Sequence, residues 1–287
     1  NFTLVKVLEE HHDESVVAAA RFGVAALPFL PLVPRHLNAL SIKSGVEIGL
    51  WCVFGYLCQA LGLHQTDASK GAFICSLAMV VVPVAKALCG EAVKAQIWGA
   101  VALAISGTAL LCGLGGDMGP NVGDFVCGGT ALGFGLMFLR MDAYAKEEGF
   151  DAMGCTIWQV LTLAAAMCLW AIGSCGPQGA ATELVSLFAE GPELWATLAW
   201  VGFVTTAGVL YVETWAMEKV DGAEAGVIFA SEPVWATMFA SAVLGESFGA
   251  KELSGAVLIL SACLLTQLKL APKDCSEKRG ASQGVAA

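Results

Sequence analysis

From residue 16 to residue 271 the chain runs in windows of mostly apolar residues separated by short polar stretches, without the two-residue alternation that marks strands. About 20 helical residues cross the roughly 30 Å hydrocarbon layer of a bilayer. The pattern therefore predicts spanning helices at about 16 to 34, 45 to 63, 68 to 89, 95 to 115, 122 to 141, 152 to 173, 194 to 217, 223 to 245 and 251 to 271. Breakers and polar residues fill the gaps as PRHLNALSIKS, HQTDAS, GGDMGPNVGD, SCGPQGAATE and MEKVDGAE, which read as turns. The leading stretch NFTLVKVLEE looks like the end of a tenth span and starts without methionine, so an N-terminally clipped form of a longer protein is expected.

Composition agrees with a lipid environment. Hydrophobic residues make up 57% of the 287 and charged residues 14%, with a mean hydropathy of +0.71, against about 25% charged residues in a soluble domain. The placement of the basic residues orients the bundle, because cytoplasmic loops accumulate them. One set of ends carries Arg35, Lys43, Lys94, Arg140, Lys146, Lys219, Lys269, Lys273, Lys278 and Arg279, the other only Lys70 and Lys251. The C-terminus is thus expected in the cytoplasm, or in the stroma or its equivalent. A net charge of -10 argues against nucleic acid as a partner.

The chain also repeats itself. A shift of 155 residues sets Gly71 on Gly226, Ser76 on Ser231, Gly90 on Gly245 and Glu91 on Glu246, and a weaker shift of 138 sets Asp13 on Asp151 and Arg21 on Gln159. Each unit then holds five spans, and an odd number inverts the second unit relative to the first. Inverted repeats recur in transporters that alternate access around a mid-membrane site.

At this point the residues resemble a known family. The stub with the second span (RFGVAALPFLP), the third (GLWCVFGYLCQALGL), AFICSLAMVVVP and EPVWATMFASAVLGE are similar to the EamA domains of the drug/metabolite transporter superfamily, nearest to its cyanobacterial and plastid branch. The resemblance implies an all-α integral membrane protein of ten transmembrane helices, the first truncated, arranged as two inverted five-helix EamA repeats around a central cavity. It divides the chain into a repeat at 1–114, a linker at 115–123, a second repeat at 124–271 and a polar tail at 272–287. It also implies cytoplasmic termini and suggests a plastid membrane.

Within the spans the polar residues are the candidates for function. Glu232 lies near mid-bilayer, followed by Pro233, which removes a backbone donor and predicts a kink. Leu77 sits opposite Glu232 in the first repeat, where the corresponding kink is expected at Pro83. Trp235, Tyr56, Gln59, Ser76, Gln159 and Arg21 are expected to line the substrate or proton path with Glu232. Helix–helix glue is the competing reading for Gln59 and Gln159. Lys6, Arg21 and Lys86 read as side chains that snorkel to the interface, with Arg21 and Lys6 towards the outer side. Glu213, one turn from a span end, reads as a solvated or ion-paired acid. Gly90 with Glu91 and Gly245 with Glu246 read as structural turns.

Eleven cysteines and four histidines show no metal-binding spacing, and no phosphate loop or nucleophile constellation occurs, so no cofactor and no enzyme is expected. The expected function is the movement of a small organic metabolite by alternating access, with proton coupling through Glu232 as its concrete form. A non-transporting subunit of a larger complex is the rival. The expected partners are a small-molecule substrate and the lipid bilayer, with a homodimer left open.

Overall fold

The first described helix is started by a cap. The Asp13 carboxylate accepts the Ser15 backbone N–H at 2.9 Å, satisfying one of the donors that every helix leaves unpaired at its N-terminus. The hydroxyl and N–H of Ser15 together hold the Asp13 carboxyl below the usual carboxylate range. Helix α1 then runs over Glu14–Ala26. The computed structural model describes residue 8 and residues 12–63, 74–111, 122–189, 191–229, 231, 234–235 and 250–267.

Beyond α1 come α2 (Ala39–Leu63), α3 (Ala78–Leu88), α4 (Ala95–Leu111), α5 (Val122–Ala145) and α6 (Ala152–Ala189). They are followed by α7 (Pro192–Ala216), α8 (Gly222–Phe229) and α9 (Ala250–Gln267). The described residues contain no strand. Four of these helices, α2, α5, α6 and α7, are long and apolar enough to cross a bilayer, and Ile74–Leu88, Ala95–Leu110 and Leu253–Leu265 are shorter apolar helices.

Close backbone approaches fix how the helices run. A methyl group on Gly62 would lie 2.5 Å from the Cys127 sulfur, and one on Gly133 would lie 2.8 Å from the Gly55 backbone, so α2 and α5 pack antiparallel at glycine. A methyl on Gly49 would meet Thr162 Cβ at 2.8 Å, on a side of α2 that runs parallel to α6. Helices α4 and α9 close in the same way, with Gly107 against the Gly255 carbonyl. Large apolar side chains such as Phe125, Leu169 and Leu264 are left 77%, 70% and 67% exposed. That outward apolar surface suits a chain whose solvent is lipid.

Two expectations need correction. The span placed at 16 to 34 stops as an α-helix at Ala26, and Leu30–Arg35 forms a 3-10 turn. Pro28, Pro31 and Pro34 lack the N–H groups that an α-helix would need there. The stretch SCGPQGAATE is no open loop either. The helix kinks where Gly176 takes φ 72 and ψ 162 ahead of Pro177 and then resumes to Ala189, because glycine alone enters that backbone region without strain.

Candidate functional site

The polar residues of the bundle interior fall into two layers. In the middle, Arg21 leaves α1 and its Nε donates to Thr206 Oγ1 at 2.8 Å. Its guanidinium carbon sits 5.0 Å from the centre of the Phe22 ring and 5.8 Å from that of Tyr56. Tyr56 stands edge-on to Phe22 at 5.2 Å and to Phe134 at 5.0 Å. The half-buried cation is thus held over two aromatic rings, Phe22 and Tyr56, the second backed by Phe134. Among the described residues no carboxylate pairs with Arg21.

Thr206 reaches this layer because α7 changes its winding. Trp200–Gly208 is a π-helix, and Thr206 Oγ1 donates to the Val201 carbonyl five residues back at 2.8 Å. Wide turns of this kind recur at functional sites because the extra residue re-aims a side chain.

One turn along α2 from Tyr56, the Cys52 sulfur accepts a hydrogen bond from Gln159 Nε2 at 3.2 Å and lies 3.1 Å from Met137 Sδ. Gln159 is fully buried, and its Oε1 has no hydrogen-bond partner. An orphan carbonyl inside a bundle costs free energy until a donor arrives. The apolar part of the Glu213 side chain lines a cavity of about 60 Å³ with Met217, Val220, Ala225 and Phe229. Glu213 therefore borders the interior, a role its nearness to the span end did not suggest.

Positions 21 and 159 are set on each other by the shift of 138, whereas their partners 206 and 52 differ by 154, one less than the shift of 155.

The second layer lies at the basic end of the bundle. Lys86 Nζ donates to Asp221 Oδ2 at 2.7 Å and lies 2.8 Å from Asp142 Oδ2. Lys146 pairs with the same two carboxylates at 2.9 Å and 3.6 Å. Asp142 Oδ1 accepts the Gly222 N–H at 3.1 Å, capping α8 from another helix. Lys86 and Asp142 are both buried, which corrects the expectation that Lys86 snorkels outward: two carboxylates compensate it inside the protein. Nearby, Glu47 accepts from Arg140 and from the Tyr144 hydroxyl, and Lys43 lies over the Tyr144 ring. His36 pairs with Asp151 at 2.5 Å, and the Trp158 indole N–H donates to the His36 carbonyl at 3.2 Å, fastening the 3-10 turn to α6.

The remaining expected residues are dispersed. Trp235 is 52% exposed and donates to Ser231 Oγ at 3.2 Å, away from the aromatic layer. Gln59 is half-buried one turn beyond Tyr56, and Ser76 is half-buried just before a turn at Leu77. That turn interrupts the helix, whereas Pro83 lies buried within α3. Gly90 ends α3 at φ 83, its N–H donating to the Ala87 carbonyl and the Glu91 N–H to the Lys86 carbonyl, the double bond of a glycine C-cap. Glu232, Pro233, Gly245, Glu246 and Lys6 lie outside the described residues. Among the described residues no three His, Cys, Asp or Glu side chains gather as a metal site.

A model of the EamA-like transporter family matches this chain over residues 1–113 and 122–268. The chain belongs to that family. An uncharacterized transporter of Archaeoglobus fulgidus is 27% identical over 271 residues, spanning 94% of this chain and 82% of that protein. A solved crystal structure with 13% sequence identity superposes with a TM-score of 0.68, covering 92% of this chain and 91% of its own. At that identity the likeness is one of fold. Family membership and the apolar helices make the chain an integral membrane protein of a transporter family.

Proposed function

We propose that this protein carries a small organic metabolite across its membrane by alternating access, and that the cargo bears a carboxylate which Arg21 receives. The observation that carries the reading is the Arg21 guanidinium, set among Phe22, Tyr56 and Thr206 with no carboxylate partner among the described residues. A charge at such depth is costly and marks a pathway or a ligand unless it is neutralised. Lys86 and Arg140, the other cations near the interior, already have carboxylates. One fixed cation suits a carboxylate; a phosphate would call for several. The orphan Oε1 of Gln159 asks for a donor, such as the ammonium of a zwitterion.

The separate matches of the family model to residues 1–113 and 122–268 support two units, with boundaries at 1–114 and 124–271. The crowding of basic residues at the Lys86 end supports that end as the cytoplasmic one. Proton coupling through Glu232 rests on sequence position alone, as the plastid membrane rests on the resemblance alone; the relative named above is archaeal.

The test is flux in proteoliposomes of the purified chain. Uptake of a labelled cargo is expected to be competed by small carboxylates and zwitterions and not by their esters. Equal competition by acid and ester contradicts the assignment to Arg21. The coupled form predicts that Glu232→Gln flattens the dependence of flux on pH, and an unchanged pH profile removes it.

A further inference from the structure

We infer that the four-charge cluster Lys86, Asp142, Asp221 and Lys146 is a gate that closes the basic end of the bundle, and that it opens when the central layer is exposed to that side. The inference rests on the transport reading above. Three observations carry it.

First, the cluster joins two parts of the chain that the family model matches separately. Lys86 belongs to residues 1–113, and Asp142, Lys146 and Asp221 belong to 122–268. Its bonds tie the end of α3 to the end of α5 and to the turn between α7 and α8. Relative movement of the two parts stretches the Lys86 pairs, and movement of α8 away from α5 stretches the Lys146–Asp221 pair and the Asp142–Gly222 bond.

Second, the cluster is built to part at low cost. Two cations face two anions, so it is neutral as a whole. The Lys146 and Asp221 side chains are 62% and 44% exposed, so water replaces their pairing as they separate. Lys86 and Asp142, at 8% and 5%, are sealed only while the cluster is shut. Asp142 also holds the Gly222 N–H, a helix-end donor that water satisfies equally well once α8 moves off.

Third, a series of side-chain contacts leads from the cluster to the central layer. Phe138 of α5 and Phe229 of α8 stack at 4.9 Å between rings, forming an apolar plug under the charges. Phe229 lines the Glu213 cavity. The residue before Phe138 is Met137, which touches Cys52, and Cys52 is the partner of Gln159. Parting α5 from α8 would open the charges, the plug and the cavity in that order and lead to the central layer.

Native thiols read the gate out without any cargo. Cys52 and Cys127 are both buried, at 1% and 0% exposure, but Cys127 lies on α5 at the end remote from Asp142. The full chain in lipid nanodiscs is treated with N-ethylmaleimide, and the labelling of each cysteine is followed by peptide mass spectrometry. Asp142→Asn and Lys86→Gln are each expected to speed labelling of Cys52 relative to Cys127 by about tenfold, the effect of losing one charge-assisted hydrogen bond. If Cys52 and Cys127 accelerate together, the cluster is a static clasp whose loss loosens the whole fold, and the inference falls. It falls equally if neither rate changes.

A lock provides the converse. A Cβ on Gly222 would lie 2.9 Å from that of Asp142, so a backbone shift of about 1 Å brings the pair to the roughly 3.8 Å a disulfide spans. The double variant Asp142→Cys with Gly222→Cys should label at Cys52 more slowly when oxidised than when reduced, and equal rates overturn the gate. Neither readout measures flux, so failure of the gate leaves the transport reading intact, and absence of flux leaves the gate to be judged by labelling.

Discussion

At the basic end of the bundle Lys86, Lys146, Asp142 and Asp221 neutralise one another and the Gly222 N–H is capped as well. At mid-depth Arg21 has a hydroxyl and aromatic faces, and Gln159 leaves its carbonyl oxygen without a donor. Both layers place polar groups where they are expensive, but only the first repays their desolvation with partners inside the protein. The difference separates charges that compensate one another from polar groups whose bonding capacity is left partly unused. It also explains why the two layers should respond in opposite ways to substitution.

The largest effect is expected at the satisfied layer. Asp142→Ala leaves Lys86 with one carboxylate in place of two and strips the cap from α8, and should destabilise the protein by about 2 kcal/mol, the loss of a charge-assisted hydrogen bond while Asp221 still compensates Lys86. Thermal unfolding in detergent checks this, and an unchanged Tm would mean that the layer is not structural. Gln159→Leu should do the reverse. It removes an orphan carbonyl together with one weak bond to sulfur, so stability should move by less than about 1 kcal/mol, while cargo affinity should weaken about tenfold if the carbonyl accepts from the cargo. A large loss of stability at Gln159 would instead make it helix–helix glue.

The smallest effect lies outside both layers. Asp13→Ala should cost about 1 kcal/mol through loss of the α1 cap. Because the folded-state pKa of Asp13 is lowered, chiefly by the Ser15 hydroxyl, its contribution is complete above the unfolded pKa of about 4 and fades as pH falls through the folded value. The Tm difference between wild type and Asp13→Ala should therefore shrink in acid, and a difference that grows below pH 4 would contradict the cap.

Much of this architecture was readable from hydropathy, because the length of an apolar run is set by the bilayer and needs no tertiary knowledge. The apolar runs around α2, α5, α6 and α7 were visible in that way. What escaped was whatever depends on a neighbour or on local winding. Lys86 looked like a snorkelling end residue because Asp142 and Asp221 are 56 and 135 positions away in the sequence. Thr206 drew no attention because one extra residue per turn in Trp200–Gly208 leaves the hydropathy unchanged. Arg21 was read both as a snorkelling residue towards the outer side and as a path residue, and its Thr206 contact depends on a helix 185 positions away that the sequence did not pair with it. Tyr56, Gln159 and Arg21 do gather around one turn of α2, while Trp235 points elsewhere. Glu232, the first choice from sequence, lies outside the described residues.

The central claim is that Arg21 receives the carboxylate of a transported metabolite, and saturable uptake into proteoliposomes tests it most directly. Wild type, Arg21→Lys and Arg21→Leu are to be compared on a panel of labelled small carboxylates and zwitterions, with Tm measured on the same preparations. The account predicts uptake by wild type, partial activity in Arg21→Lys, which keeps the charge but not the planar fork, and a loss of about 10- to 100-fold in Arg21→Leu at nearly unchanged Tm. Undiminished uptake by Arg21→Leu, or no uptake of any member of the panel by the wild-type chain, would contradict it.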